Sequence, residues 1–221
     1  MSDNQTRIAV VLSGSGVYDG AEIHESTLTL LALDRQRASY QCFAPDVPQA
    51  HVINHLSGEE MQEDRNVLIE SARIARGAIK DLKEYNPADF DAIIFPGGFG
   101  AAKNLSSFAF DGPECSVNED VSEAIKTTHA AGKPIGALCI APAIMAKVFD
   151  GAELTIGQDP GTADAIQAMG GRHKVTDHGE VVIDPDLKLV TSPCYMLDAS
   201  ISQIADGTEN AVKALLDMVR G

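Results

Sequence analysis

Apolar residues are distributed along this chain in two alternating rhythms. Short unbroken runs occur at Arg7-Ile8-Ala9-Val10-Val11-Leu12, at Asp91-Ala92-Ile93-Ile94-Phe95, at Ile135-Gly136-Ala137-Leu138 and at Leu187 to Ser192. They are apolar on both faces, as strands are in a parallel sheet covered on both sides. Ser39 to Asp46 and Glu153 to Gln158 read as further strands, and His173 to Thr191 as a hairpin or two strands around Asp177-His178-Gly179-Glu180. Between them the spacing turns helical: about 21–37, with an apolar stripe of Ile23, Leu28, Leu30, Leu31 and Leu33, then 66–76, 117–131, 161–169 and 199–220. The segment 78–85 has no clear period. Ala101 to about Ser116 reads as a polar loop, longer than an ordinary connector and a possible pocket wall. Strand and helix alternate without repeats or linkers, which predicts one doubly wound α/β domain over residues 1–221.

Open α/β sheets place ligands at the carboxyl edge of their strands, so the strand ends merit the closest reading. The first strand ends in Ser13-Gly14-Ser15-Gly16-Val17-Tyr18-Asp19-Gly20. The glycine spacing is one residue too long for a dinucleotide fingerprint, and no acidic residue caps the second strand. The glycines here predict a tight strand-to-helix turn beside a pocket. Glu22 and Glu25 open the next helix, where carboxylates suit the helix dipole or point into that pocket. The strand at 91–95 ends in Pro96-Gly97-Gly98, either a plain turn or one whose backbone N–H groups face a ligand oxygen. The strand at 135–138 ends in Cys139-Ile140-Ala141-Pro142. Pro142 fits the first turn of a helix carried by Ile144, Met145 and Val148. A cysteine between strand and helix has the layout of a nucleophile elbow, and the helix N-terminus favours its thiolate. Packing is the other role open to such a cysteine, since free Cys behaves as a small hydrophobe.

Composition narrows the function. With 221 residues and a net charge of −15, the chain can bury a large core but presents no basic footprint for nucleic acid or an anionic membrane surface. Its four cysteines form no C-x-x-C pair and show no zinc spacing. His51 and His55 would align on a helix as a metal pair, yet no third ligand is near in sequence, so solvated or capping histidines are expected and no metal is assigned. Met1 to Arg7 lead directly into the first strand, with no signal-peptide core and no apolar run long enough to span a bilayer. A reducing cytoplasm is the expected compartment.

Phe95-Pro96-Gly97-Gly98, Gly136-Ala137-Leu138-Cys139 and Glu25 at the head of the first helix together resemble the ThiJ/PfpI superfamily. The run from Leu12 to Glu25 and Gly97-Gly98-Phe99-Gly100-Ala101-Ala102-Lys103-Asn104-Leu105 resemble its enhancing-lycopene-biosynthesis (ElbB-type) branch, the isoprenoid-biosynthesis glyoxalases. The resemblance implies a flavodoxin-like fold, frequent homodimers and a glyoxalase needing no cofactor, with a small α-oxoaldehyde such as methylglyoxal or glyoxal as substrate. It implies Cys139 as nucleophile and Glu25 as its carboxylate neighbour. Glu25 is preferred to Glu22 because it lies twelve residues before Arg37, where relatives have the glycine that ends the helix. Gly97, Gly98 and Ile140 are expected to supply the oxyanion and substrate contacts, with Glu22, Ser15 and Asn104 as secondary candidates. The sequence departs from the pattern in two places. Several relatives have a histidine after the cysteine where this chain has Ile140, and ElbB-type relatives often have a first-loop cysteine where it has Ser15. His178-Gly179-Glu180 matches the His-x-Glu of glutamine amidotransferases in letters but lies only 39 residues after Cys139. An amidase or deglycase would need His178 beside Cys139, and a redox-responsive protein would use Cys139 oxidation instead of turnover.

Overall fold

The computed structural model describes residues 5–221; Met1 to Asn4, the start of the polar lead-in, lie outside the described residues. In chain order the elements are β1 (Arg7–Val11), α1 (Ile23–Arg35), β2 (Ser39–Ala44), α2 (Val67–Ile74), β3 (Ile79–Asp81), β4 (Ala92–Phe95), α3 (Phe99–Lys103), α4 (Phe108–Asp111), α5 (Glu119–Ala130), β5 (Ile135–Leu138), α6 (Pro142–Val148), β6 (Glu153–Leu154), α7 (Pro160–Ala168), β7 (Arg172–His173), β8 (Val182–Asp184), β9 (Leu189–Ser192) and α8 (Ile201–Arg220).

Seven strands form one sheet in the order β3-β2-β1-β4-β5-β9-β8. All neighbours are parallel except β8, which returns antiparallel on β9 with Ile183 opposite Val190. This is the flavodoxin-like, doubly wound arrangement. The strands divide their side chains between two cores. Ala9, Val11, Ile93, Phe95, Ile135 and Ala137 pack under α5 and α6, while Ile8, Val10, Ile94 and Leu138 pack under α1 and α8. After β1 the chain builds outward through β2 and β3, then returns to lay β4 on the other side of β1. The sheet therefore reverses direction between β1 and β4, the crevice where such sheets bind ligands.

Several elements differ from the sequence expectation. α1 starts at Ile23, with Glu22 as its N-cap, and Arg37 beyond its end takes the left-handed φ of 57° that a glycine usually supplies. Its apolar stripe is only partly the buried face: Leu33 is buried and Leu28 and Leu30 are half-buried against the core. Ile23 and Leu31 are exposed, and the inward face is Glu25, Ser26, Thr29, Ala32 and Leu33. Small and polar residues are needed there because α1 lies close against the sheet at the crevice and against α8. The aperiodic 78–85 segment contains an edge strand, β3, and a short 3-10 turn (Leu82–Glu84). The expected polar loop after Gly100 contains two short helices, α3 and α4, and a 3-10 turn (Gly112–Glu114). Residues 49–61 are irregular and not helical, so His51 packs edge-on against Phe110 while His55 lies by Tyr18. The expected 153–158 strand shortens to β6, which pairs only with β7 in a separate two-stranded sheet. There the Thr155 N–H donates to the Thr191 hydroxyl at 3.0 Å, so a side chain takes the place of the main-chain ladder.

Candidate active site

Cys139 stands at the crevice where β5 turns into α6. Its backbone is left-handed, with φ of 61°. Such a conformation at a non-glycine residue costs on the order of 1–3 kcal/mol and is retained only where its surroundings impose it. Here the Cys139 N–H donates to the Ser192 carbonyl at 2.9 Å and the Ala141 N–H to the Leu138 carbonyl at 3.0 Å, fixing the elbow on both sides. Pro142 occupies the first turn of α6, as its sequence position requires. The N–H of Gly98 points at the thiol. The Ile140 N–H finds no backbone acceptor among the described residues.

Glu25 comes to the same point from α1 and is completely buried. Its Oε2 accepts the Gly97 N–H at 3.0 Å and its Oε1 the Tyr195 N–H at 3.1 Å. The carboxyl also lies beside the Cys139 thiol, which helps to hold the charged form. Burial pushes its pKa from 4.5 up to about 7, the charge on Glu22 adds to the rise, and the N–H donors hold it back. The folded chain thus binds this proton more tightly than the unfolded one. Its contribution to stability is complete below about 4.5 and is lost as pH rises through about 7. For Cys139, desolvation comes first and the Glu25 charge second, and both raise the thiol above its ordinary value. This corrects the expectation that a helix end would dominate and favour the thiolate. Below about 7 carboxyl and thiol both keep their protons, and as pH rises the carboxyl gives up its own first, leaving one proton on the pair.

The two glutamates divide their work by position. Glu22 Oε2 accepts the Glu25 N–H at 2.6 Å, so Glu22 caps the helix that carries Glu25. The Pro-Gly-Gly turn is fastened to the same helix start, with the Glu22 N–H donating to the Gly97 carbonyl at 2.9 Å. Both glycines are obligatory. A Cβ on Gly97 would lie 2.3 Å from Cys139 Cβ and 2.7 Å from Glu25 Oε2, and one on Gly98, where φ is 100°, would lie 2.3 Å from the Glu22 nitrogen.

A cavity of about 380 Å³ opens over Cys139, walled by Val17, Phe99, Phe108, Ile140, Tyr195 and Met196 among others. Ser15 and Asn104 lie outside that wall. Asn104 instead pins the first loop: its Nδ2 donates to the Ser13 and Asp19 carbonyls at 2.8 and 2.9 Å, and its Oδ1 accepts the Ala50 N–H at 2.9 Å. His178 and Glu180 line a different groove, against α8, so the His-x-Glu likeness has no counterpart at the cysteine. Among the described residues no group of three or more His, Cys, Asp or Glu could hold a metal ion. Sequence reasoning missed Cys194 and Tyr195. Cys194 is buried beside the pair with φ of 43°, and Tyr195 holds Glu25 and walls the cavity. Their signal was available: Pro193-Cys194-Tyr195 directly follows a strand on the ligand edge of the sheet.

A cysteine elbow, a buried carboxyl and a Pro-Gly-Gly turn meeting at the carboxyl edge of a doubly wound sheet define a class of α/β protein. The family model described as DJ-1/PfpI matches residues 17–198, and the chain belongs to that family. It is 50% identical over 222 residues to the human glutamine amidotransferase-like class 1 domain-containing protein 3, mitochondrial, covering 96% of this chain and 83% of the relative. The solved isoprenoid biosynthesis protein with amidotransferase-like domain from Ehrlichia chaffeensis superposes with a TM-score of 0.90 at 35% identity, covering 96% of this chain and 99% of that one. Glyoxalase III from Candida albicans shares the fold, with a TM-score of 0.61 at 16% identity over 96% of this chain and 98% of its own.

Three outcomes follow from this geometry. All four cysteines are free and buried, but Cys139 is the one that walls the cavity. Brief iodoacetamide treatment followed by mass mapping should label it before Cys42, Cys115 or Cys194; first labelling elsewhere contradicts the assignment. Gly97→Ala should displace Cys139 or Glu25 and lower stability by about 1–3 kcal/mol, as overpacking does, measured by urea denaturation. Asn104→Ala leaves three loop groups without a partner. Each buried one costs about 1–3 kcal/mol, so the variant should melt several degrees lower with Cys139 labelling retained.

Proposed function

We propose that this chain is a cofactor-independent glyoxalase that converts an α-oxoaldehyde such as methylglyoxal or glyoxal to the 2-hydroxy acid, lactate or glycolate. The observation that carries this reading is the fully buried Glu25 carboxyl set beside the Cys139 thiol at the floor of a largely apolar cavity, a pair left with one proton above about pH 7. Such a pair can present sulfur as nucleophile while holding the proton that the product oxygen needs.

The steps balance on these groups. The Cys139 sulfur adds to the aldehyde carbon, and the Glu25 proton goes to the new alkoxide, giving a hemithioacetal and a carboxylate. The Gly98 and Ile140 N–H groups stabilise that oxygen as its charge develops. A carbon bonded to sulfur lies one bond from an atom that Glu25 already touches. The carboxylate takes its hydrogen, forming an enediolate, and returns a proton to the adjacent carbon while the hydroxyl proton moves to the neighbouring oxygen. The product is a thioester on Cys139, isomeric with the hemithioacetal. Water cleaves it to the hydroxy acid and restores the cysteine. No external oxidant or reductant enters. A homodimer and a thiol-reducing compartment complete the proposal; the first rests on the family resemblance, the second on four free cysteines. The cytoplasm and the mitochondrial interior both satisfy the second condition.

The test is a pair of variants with a pH profile. Glu25→Gln should alkylate at Cys139 yet turn over methylglyoxal at least about 100-fold more slowly. Glutamine places an NH2 where two backbone N–H groups need acceptors, so a stability loss of about 1–3 kcal/mol should accompany it. Glu22→Gln removes charge from a helix cap and should lose far less. In the wild type, kcat/KM should climb with pH and level off above about 7, as the pair loses its first proton. Full activity in Glu25→Gln, or a profile flat from pH 5 to 8, contradicts the mechanism.

A further inference from the structure

The hydrolytic half of this reaction needs a group that can take a proton from water, and neither Cys139 nor Glu25 meets that need. Glu25 lies beside the sulfur and within reach of the carbon bonded to it, but it does not wall the cavity from which water would approach, and each carboxyl oxygen is already engaged by a backbone N–H. The residue after the cysteine, where an imidazole would be convenient, is Ile140. Apart from Cys139, the polar side chains on the cavity wall are Tyr195, Asp159 and Thr162. Asp159 is committed to capping α7: its Oδ1 accepts both the N–H and the hydroxyl of Thr162 at 2.7 Å.

Tyr195 is different. Its phenol oxygen lies 2.8 Å from Nδ1 of His24, with the two rings 5.9 Å apart and tilted by 46°. His24 immediately precedes Glu25 on α1, and the Tyr195 backbone N–H donates to Glu25 Oε1 at 3.1 Å. Both members of the pair are thus anchored to the carboxyl that touches the thiol. Tyr195 faces the cavity, and His24 stands behind it, exposed to solvent. The contact links β9 to α1 across the crevice, between residues far apart in sequence.

We infer that Tyr195 and His24 form the relay that cleaves the acyl-cysteine, with Tyr195 as the catalytic residue and His24 as its positioning and proton-accepting partner; this rests on the glyoxalase reading above. Water attacks the thioester carbonyl and gives its proton to the Tyr195 oxygen, while the phenol proton passes to His24 Nδ1. The tetrahedral intermediate collapses, the carbon–sulfur bond breaks, and Cys139 leaves as thiolate. The proton on His24 returns through Tyr195 to the Cys139 thiolate, which restores the one proton of the Cys139–Glu25 pair, and the carboxylic acid product ionises into solvent. Thiol addition and enediol formation do not use the relay.

The experiment uses the full chain as wild type, Tyr195→Phe, His24→Asn and, as a control away from the cavity, Tyr40→Phe. Each is mixed with methylglyoxal, quenched in acid, desalted and treated with hydroxylamine, which converts a thioester but not a hemithioacetal to lactohydroxamate. Tyr195→Phe and His24→Asn are expected to slow steady-state turnover about 100-fold while Cys139 accumulates an adduct of methylglyoxal mass that yields lactohydroxamate. Tyr40→Phe should behave as wild type. Loss of turnover in the first two without an acyl adduct reduces the pair to a structural contact and overturns the inference. Wild-type rates in either, or adduct accumulation in Tyr40→Phe instead, overturn it as well. Absence of turnover in the wild type, with every oxoaldehyde tried, removes the glyoxalase reading itself and this inference with it.

Discussion

The structure around the crevice depends on one buried carboxyl. Glu25 is held by a backbone N–H from the turn after β4 and another from the turn after β9, and it touches the cysteine after β5. Three strand ends from the middle of the sheet are therefore tied to one side chain on α1. A carboxylate without water is costly, which is why its pKa climbs to about 7. The Tyr195 N–H, the Cys139 thiol and the Gly97 N–H offset part of that cost. The tight geometry of the glycines follows from it, since no side chain at 97 or 98 leaves room for the contact. So does the small and polar inner face of α1, which must approach the sheet closely enough to deliver the carboxyl.

Much of this was legible in the residues themselves. The apolar runs give β1, β4, β5 and β9 because strands buried on both faces need no alternation, and the Cys139 elbow is fixed by the conflict between a strand and Pro142. What could not be read has physical causes. β3 is a three-residue edge strand whose pairing depends on β2 and not on its own pattern. α1 hid its buried face because contact with α8 and the sheet selects Ser26, Thr29 and Ala32 over the exposed Ile23 and Leu31. Glu22 and Glu25 are indistinguishable as letters near a helix start; only the cap geometry assigns one to the helix and the other to the thiol. Tyr195 was missed because its two roles, an N–H to Glu25 and a phenol to His24, join positions about 170 residues apart. The thiolate expectation failed for a similar reason: a helix end is local, whereas desolvation by the whole crevice is not.

Charge sets the kind of substrate. The net charge is −15, and no lysine or arginine lines the cavity over Cys139. A neutral carbonyl compound meets no electrostatic barrier there, whereas an anion would find backbone N–H groups but no cation. The apolar walls also keep water scarce around the Cys139–Glu25 pair, which strengthens each hydrogen bond to it and keeps the carboxyl pKa high.

The protonation of Glu25 is the quantity on which the rest turns, and it can be observed without substrate. Carbon-13 NMR of protein labelled at glutamate carboxyls, titrated from pH 3 to 9 and assigned through Glu25→Gln, reads its midpoint directly. A midpoint near 7 is expected, against 4.5 for an ordinary glutamate. Replacing Cys139 by Ala should shift that midpoint, because the thiol beside the carboxyl helps to hold its charged form. A Glu25 resonance that titrates near 4.5, indifferent to the loss of Cys139, would contradict the Cys139–Glu25 pair.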